Sequence, residues 1–153
     1  MKTSEKTTEV LNDLVEINND RVVGYEKAAK ETKVADADLR ALFTDMATES
    51  RGYINELSKY VLREGKKPEE GTRFTGKIYR VWMDVKATFS GHDRKSILAS
   101  CEFGEDAAQR AYDAALKSDA EMDTEIRQLI MDQKSRLKRS HDKIKQLRDS
   151  QVA

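Results

Sequence analysis

Two acidic residues stand where an apolar residue is expected. Glu49 falls in the row Leu39, Leu42, Met46, Glu49, Tyr53, Leu57, Tyr60, whose three- and four-residue steps put every member on one helix face. Glu105 repeats the pattern in Leu98, Cys101, Glu105, Ala108, Tyr112, Ala115. A carboxylate on a buried face is costly unless it meets a metal, another cation, a hydrogen-bond donor or a proton. Two amides occupy similar places: Asn18 in Leu11, Leu14, Asn18, Val22, Tyr25, Ala29, and Gln133 in Ile126, Ile130, Gln133, Leu137, His141, Ile144. Glu16, Asp20 and Glu26 fall toward the edges of their helix or outside the stripe.

The chemistry open to such a set is metal binding by carboxylates, with His141 as the one imidazole in a stripe, or an internal hydrogen-bonded belt. Cys101 is the only cysteine, which excludes an internal disulfide framework and a cysteine-rich zinc module, and it reads as a small core residue. Tyr25, Tyr53 and Tyr112 can supply hydroxyls to the belt as well as packing. His92, in Ser90-Gly91-His92-Asp93, reads as turn or cap chemistry. No glycine-rich phosphate loop, nucleophile elbow or paired zinc-ligand motif occurs.

The elements that position these residues are helices. In 153 residues there are seven glycines and one proline, and few β-branched runs, so little would stop a helix or build a sheet. The spacing predicts a first helix from near Thr7 to Thr32, a turn at Lys33-Val34-Ala35 and a second helix, capped by Asp36, from Ala37 to Glu64. Gly65 and Pro68 end that helix. A polar linker and a shorter helix over 75–89 carrying Trp82 follow. A third long helix runs from Asp93 to Lys117, and Ser118-Asp119-Ala120-Glu121 has the form of a capping box that starts the fourth with almost no loop. Two tight turns and one long middle connection, 65–92, specify an all-α, ferritin-like four-helix bundle with a long crossover carrying a short extra helix, in one domain over 1–153.

Counting from the turns tests whether the polar residues meet. Asn18 lies 16 residues before Val34 and Glu49 lies 15 after; Glu105 lies 13 before Ser118 and Gln133 lies 15 after. At about 1.5 Å per residue each mismatch is only a few Å, so Asn18, Glu49, Glu105 and Gln133 are expected to form one buried belt.

The chain resembles the ferritin-like superfamily of bacterioferritins and rubrerythrins, and more closely an uncharacterised bacterial branch of small four-helix bundles described as a domain of unknown function. The residues that carry the closer resemblance are Leu11-Asn12-Asp13-Leu14 with Asp20, Arg63-Glu64-Gly65 with Pro68, Cys101-Glu102-Phe103-Gly104-Glu105 with Tyr112, and His141-Asp142-Lys143-Ile144-Lys145. The resemblance implies a di-metal site built from one Glu on each of two helices and a Glu-x-x-His pair on each of the other two. Here Asn18 matches the first Glu, Glu49 and Gly52 the second-helix pair, and Glu105 the third-helix Glu. The fourth-helix pair is either Gln133 and Arg136 or Lys138 and His141. In both registers acids are missing, so hard or borderline divalent ions would bind weakly.

The sequence therefore favours a non-enzymatic structural or interaction module, stress-associated by resemblance, with a degenerate di-metal site and no cofactor. The alternative is a di-iron or manganese oxidoreductase or metal-storage protein using Glu49 and Glu105, with His141 as a further ligand candidate. Twenty-eight basic residues balance 28 acidic ones, which argues against a nucleic-acid or anionic-membrane partner. The basic run Lys134, Arg136, Lys138, Arg139 lies among acids with no interleaved aromatics. No apolar run approaches the roughly 18 residues needed to span a membrane, and the expected location is cytoplasmic. Long helix faces and the Trp82 helix offer surfaces for a homodimer.

Overall fold

The computed structural model describes residues 5–63 and 94–150. Within them the chain forms α1 (Glu5–Glu31), a single 3-10 turn (Val34–Asp36), α2 (Ala37–Arg63), α3 (Arg94–Lys117) and α4 (Thr124–Asp149), with no strand among the described residues. The all-α bundle is as expected from the 3.6-residue spacing of apolar positions. The expected helix over 75–89, its Trp82 and His92 lie outside the described residues.

Side-chain pairings set the helix directions. On α1 and α2, Asn18 meets Ser50, Arg21 meets Glu49, and Thr32 meets Arg40. On α3 and α4, Asp113 meets Lys134 and Asp106 meets His141. Between the hairpins, α1 runs against α3 through Asn18–Tyr112 and Arg21–Glu105, and α2 against α4 through Glu49–Ser140 and Tyr60–Glu125. Each of these pairs is antiparallel, so α2 and α3 run in the same direction. Arg63 at the end of α2 pairs with Asp123 just before α4, whereas Arg94 at the start of α3 pairs with Asp36 and Asp38 at the start of α2. The two chain ends that flank residues 64–93 thus sit at opposite ends of the bundle, about 40 Å apart at 1.5 Å per helical residue.

One helix start differs from expectation. The capping box at Ser118 does not form: Ser118 Oγ donates to Ala115 O at 2.8 Å and closes the end of α3. Asp123 caps α4 instead, its carboxylate accepting from Ile126 N at 2.9 Å. Ser118 to Asp123 is consequently a loop, and α4 begins later than expected.

Two apolar clusters hold the helices together. One, at the α1–α2 turn, contains Tyr25, Ala28, Leu39, Phe43, Leu98, Cys101 and Ile144. The other contains Leu11, Leu14, Tyr53, Leu57, Ile126, Ile130 and Leu137. Each large aliphatic side chain so buried contributes about 1.5–3 kcal/mol. Between the clusters lies a layer of buried polar side chains: Asn18, Arg21, Ser50, Glu105 and Gln133.

Candidate functional site

Arg21 is the centre of the polar layer, and its side chain has no solvent exposure. It lies three residues after Asn18 and four before Tyr25, so α1 carries all three on one face. The guanidinium reaches two carboxylates from two other helices: Nε donates to Glu105 Oε1 at 2.5 Å, and Nη1 lies 3.0 Å from Glu49 Oε1. The same Nη1 donates to Ser50 Oγ at 2.8 Å and Met46 O at 3.2 Å, and Nη2 to Met46 Sδ at 3.3 Å. The planar fork is what allows one side chain to serve so many acceptors.

Tyr25 completes this layer. Its hydroxyl donates to the same Glu105 Oε1 at 2.9 Å, and the Arg21 guanidinium carbon sits 5.1 Å from its ring centroid. Burial, then the charge of Glu105, holds the Tyr25 phenol well above its ordinary range, so it stays a donor. Burial pulls the Arg21 guanidinium toward losing its proton, but Glu105, Tyr25 and Glu49 outweigh it and the group is held above its usual range. The cation is permanent.

The two acids differ in environment. Glu105 is 1% exposed, and its Oε2 has no hydrogen-bond partner among the described residues. The Glu49 side chain is 30% exposed, at a groove lined by Met46, Arg136 and Ser140, and Ser140 Oγ donates to it at 3.0 Å. Glu49 is therefore at the edge of the apolar stripe, with Ser50 at its centre.

A second layer is joined to the first through Ser50. Ser50 Oγ accepts from Arg21 and donates to Asn18 Oδ1 at 2.9 Å. Asn18 Nδ2 donates to Tyr112 Oη at 2.9 Å, and Tyr112 donates to Gln133 Oε1 at 2.6 Å. Gln133 Nε2 then donates to Tyr53 O at 3.3 Å and to Glu56 Oε1 at 3.1 Å, where Arg136 also arrives. Burial raises the Tyr112 phenol, against the opposing hydrogen bond from Asn18. The Tyr53 hydroxyl has no hydrogen-bond partner among the described residues, and burial, then the charge of Glu49, raises it. Cys101 is buried beside this region, its thiol pushed well up by burial and then by Glu105, which leaves it inert.

Asn18, Glu105 and Gln133 are buried and Glu49 is at the rim, and the four are linked through other side chains. Arg21 stands between Glu49 and Glu105, and Tyr112 stands between Asn18 and Gln133. The count from the last turn errs because the loop from Ser118 displaces α4: Asp106 is level with His141 and Asp113 with Lys134, so Gln133 is level with Tyr112 rather than with Glu105.

Five further residues of the network, Arg21, Ser50, Glu56, Arg136 and Ser140, are absent from the stripes read in the sequence, where Val22 takes the inward place on α1. The structure leaves Val22 only partly buried and takes Arg21 inside. Glu16 and Asp20 are also buried, at 7% and 4% exposure, because α1 touches both α2 and α3 and its buried arc is wide.

His141 is not with Glu49 and Glu105. Among the described residues, one group of three or more metal-ligating side chains converges, and it is Glu102, Asp106 and His141 at the α3–α4 seam. Of the two fourth-helix pairs, Gln133 is in the buried network and Arg136 lies over the Tyr53 ring at 5.0 Å, while Lys138 is exposed and paired with Asp142.

Among the described residues, the fold and this network define an all-α bundle of four long helices with an ionic layer between two apolar clusters. Residues 6–118 match the family described as a domain of unknown function, DUF2383, and the chain belongs to that family. The match takes in Arg21, Glu49 and Glu105 and ends before Gln133, Ser140 and His141. No curated protein matches the chain. Among the described residues, no helix is long and apolar enough to cross a membrane.

Proposed function

We propose that the protein is a ferritin-like bundle in which an arginine of the chain itself takes the place of the metal pair, and that it serves as a non-enzymatic structural or interaction module. The single observation that carries this reading is the Arg21 guanidinium lodged between Glu49 and Glu105. The helix directions support it, since α2 and α3 run parallel across an end-to-end connection, as in bundles of that superfamily.

The residues do not fit a di-metal centre. Two carboxylates meet there; Gly52 stands where the resemblance puts the imidazole partner of Glu49. A dication about 4 Å from the guanidinium, whose side chain is fully buried, would be repelled by roughly 8 kcal/mol at an effective dielectric of about 20. The guanidinium solves the like-charge problem of two inward acids without a bound ion. A bacterial, cytoplasmic, stress-associated role, one domain over 1–153 and homodimerisation complete the proposal. Leu62 and Phe103, each 59% exposed, and Met131, 49% exposed, are apolar side chains available at a helix-to-helix contact.

Metal content per chain after expression in iron- and manganese-supplemented medium tests the reading, with the E49Q/E105Q variant beside the wild type. Equal metal content in the two supports it. Near-stoichiometric iron or manganese that vanishes in the variant would overturn it in favour of a di-iron or manganese oxidoreductase or storage protein.

A further inference from the structure

The α3–α4 seam carries a set of ligating atoms that the ionic layer does not use. Glu102 and Asp106 are one helical turn apart on α3, and His141 reaches them from α4. One ligand atom from each lies within 4.8 Å of the others. The imidazole is held from behind: Nδ1 lies 3.1 Å from Asp142 Oδ1, while Nε2 faces Asp106 Oδ1 at 2.6 Å. A carboxylate on the far ring nitrogen is the arrangement that fixes tautomer and orientation in histidine metal ligands.

We infer that Glu102, Asp106 and His141 Nε2 form a site for one borderline divalent cation of the zinc class, bridging α3 and α4. Two carboxylates and a neutral imidazole balance a dication, and one nitrogen with two oxygens suits zinc, which leaves a fourth position for water. Around a tetrahedral zinc, ligand atoms sit about 3.4 Å apart at bond lengths near 2.1 Å, so the three side chains close by small rotations from where they stand. The ion takes the place of the Nε2 proton, which leaves to solvent.

Access separates this set from Glu105, which is 1% exposed. The Asp106 side chain is 45% exposed, His141 15% and Glu102 12%, and the cation paired with the set is Arg148, itself part-exposed. Arg148 pairs with Glu102 but also with Asp149, through Nε at 3.0 Å and Nη2 at 2.8 Å, so it keeps a partner when Glu102 turns to the ion.

The experiment is calorimetric titration of the untagged chain with zinc chloride, repeated with cobalt(II), whose visible absorption reports ligand geometry. One ion per chain is expected, with binding weakened at least tenfold in H141Q and in D106N and unchanged in E49Q/E105Q. The cobalt spectrum of the wild type should show the intense bands of four-coordination, lost in H141Q. Absence of binding, or equal binding in wild type and H141Q, overturns the inference. If H141Q fails to fold, D106N tests the same site through a half-exposed side chain, and equal binding in wild type and D106N overturns the inference as well. Binding lost in an E49Q/E105Q chain whose circular dichroism and melting show it folded would instead place the ion in the ionic layer, contradicting both this inference and the proposed function.

Discussion

Replacing Arg21 by methionine tests what the buried cation does. The change keeps an unbranched side chain of useful length but leaves Glu105 in the core with only the Tyr25 hydroxyl. Hydrogen bonds to charged groups contribute about 1.5–3 kcal/mol each, and removing one partner of a buried ion pair costs about 3–5 kcal/mol. The expected loss for R21M is therefore about 4 kcal/mol, a large share of the roughly 5–15 kcal/mol typical of a domain. The assay is urea unfolding followed by circular dichroism. With a slope of about 2 kcal/mol/M the midpoint should fall by about 2 M.

One control sharpens the test. R21M/E105M replaces the pair by apolar groups, and such replacements are often neutral, so most of the loss should be recovered. A loss below about 1 kcal/mol, or strictly additive effects of the two substitutions, would refute the reasoning.

Three other outcomes follow from the same contacts. Y112F leaves Asn18 Nδ2 and Gln133 Oε1 without their shared hydroxyl and should cost about 1–3 kcal/mol by urea unfolding, more than Y60F at a partly exposed contact. Gly52 is exposed in mid-helix, and a Cβ there meets nothing within 4 Å, so G52A should stabilise by about 0.5–1 kcal/mol and raise the melting temperature by a few degrees. Asp38 is held down at about 2, chiefly by its hydrogen bond from Arg94 and despite some desolvation. Its contribution is present above its ordinary value near 3.8 and fades as pH falls from there to about 2, a dependence that acid-unfolding curves of D38N should lack.

The helices were legible because apolar residues recur at three and four positions and the chain has few breakers. The parallel direction of α2 and α3 followed from unequal connection lengths. Arg21 was not legible for a physical reason: after Asn18 both the third and the fourth residue continue a helical stripe, and local hydropathy favours Val22 over Arg21. The choice is made by two acids on other helices, contacts that no local pattern contains. That Glu49 and Glu105 required a cation, donor or proton was readable from their positions; which of these it was depended on the neighbouring helix. The capping box at Ser118 failed because a serine hydroxyl can close the helix before it as readily as open the next.

The measurement closest to the central claim is an anomalous-difference map from crystals of the wild-type protein grown with excess manganese. The expected result is the Arg21 guanidinium between Glu49 and Glu105 and no anomalous peak between those carboxylates. A peak bridging them, with Arg21 swung out of the layer, would contradict the claim.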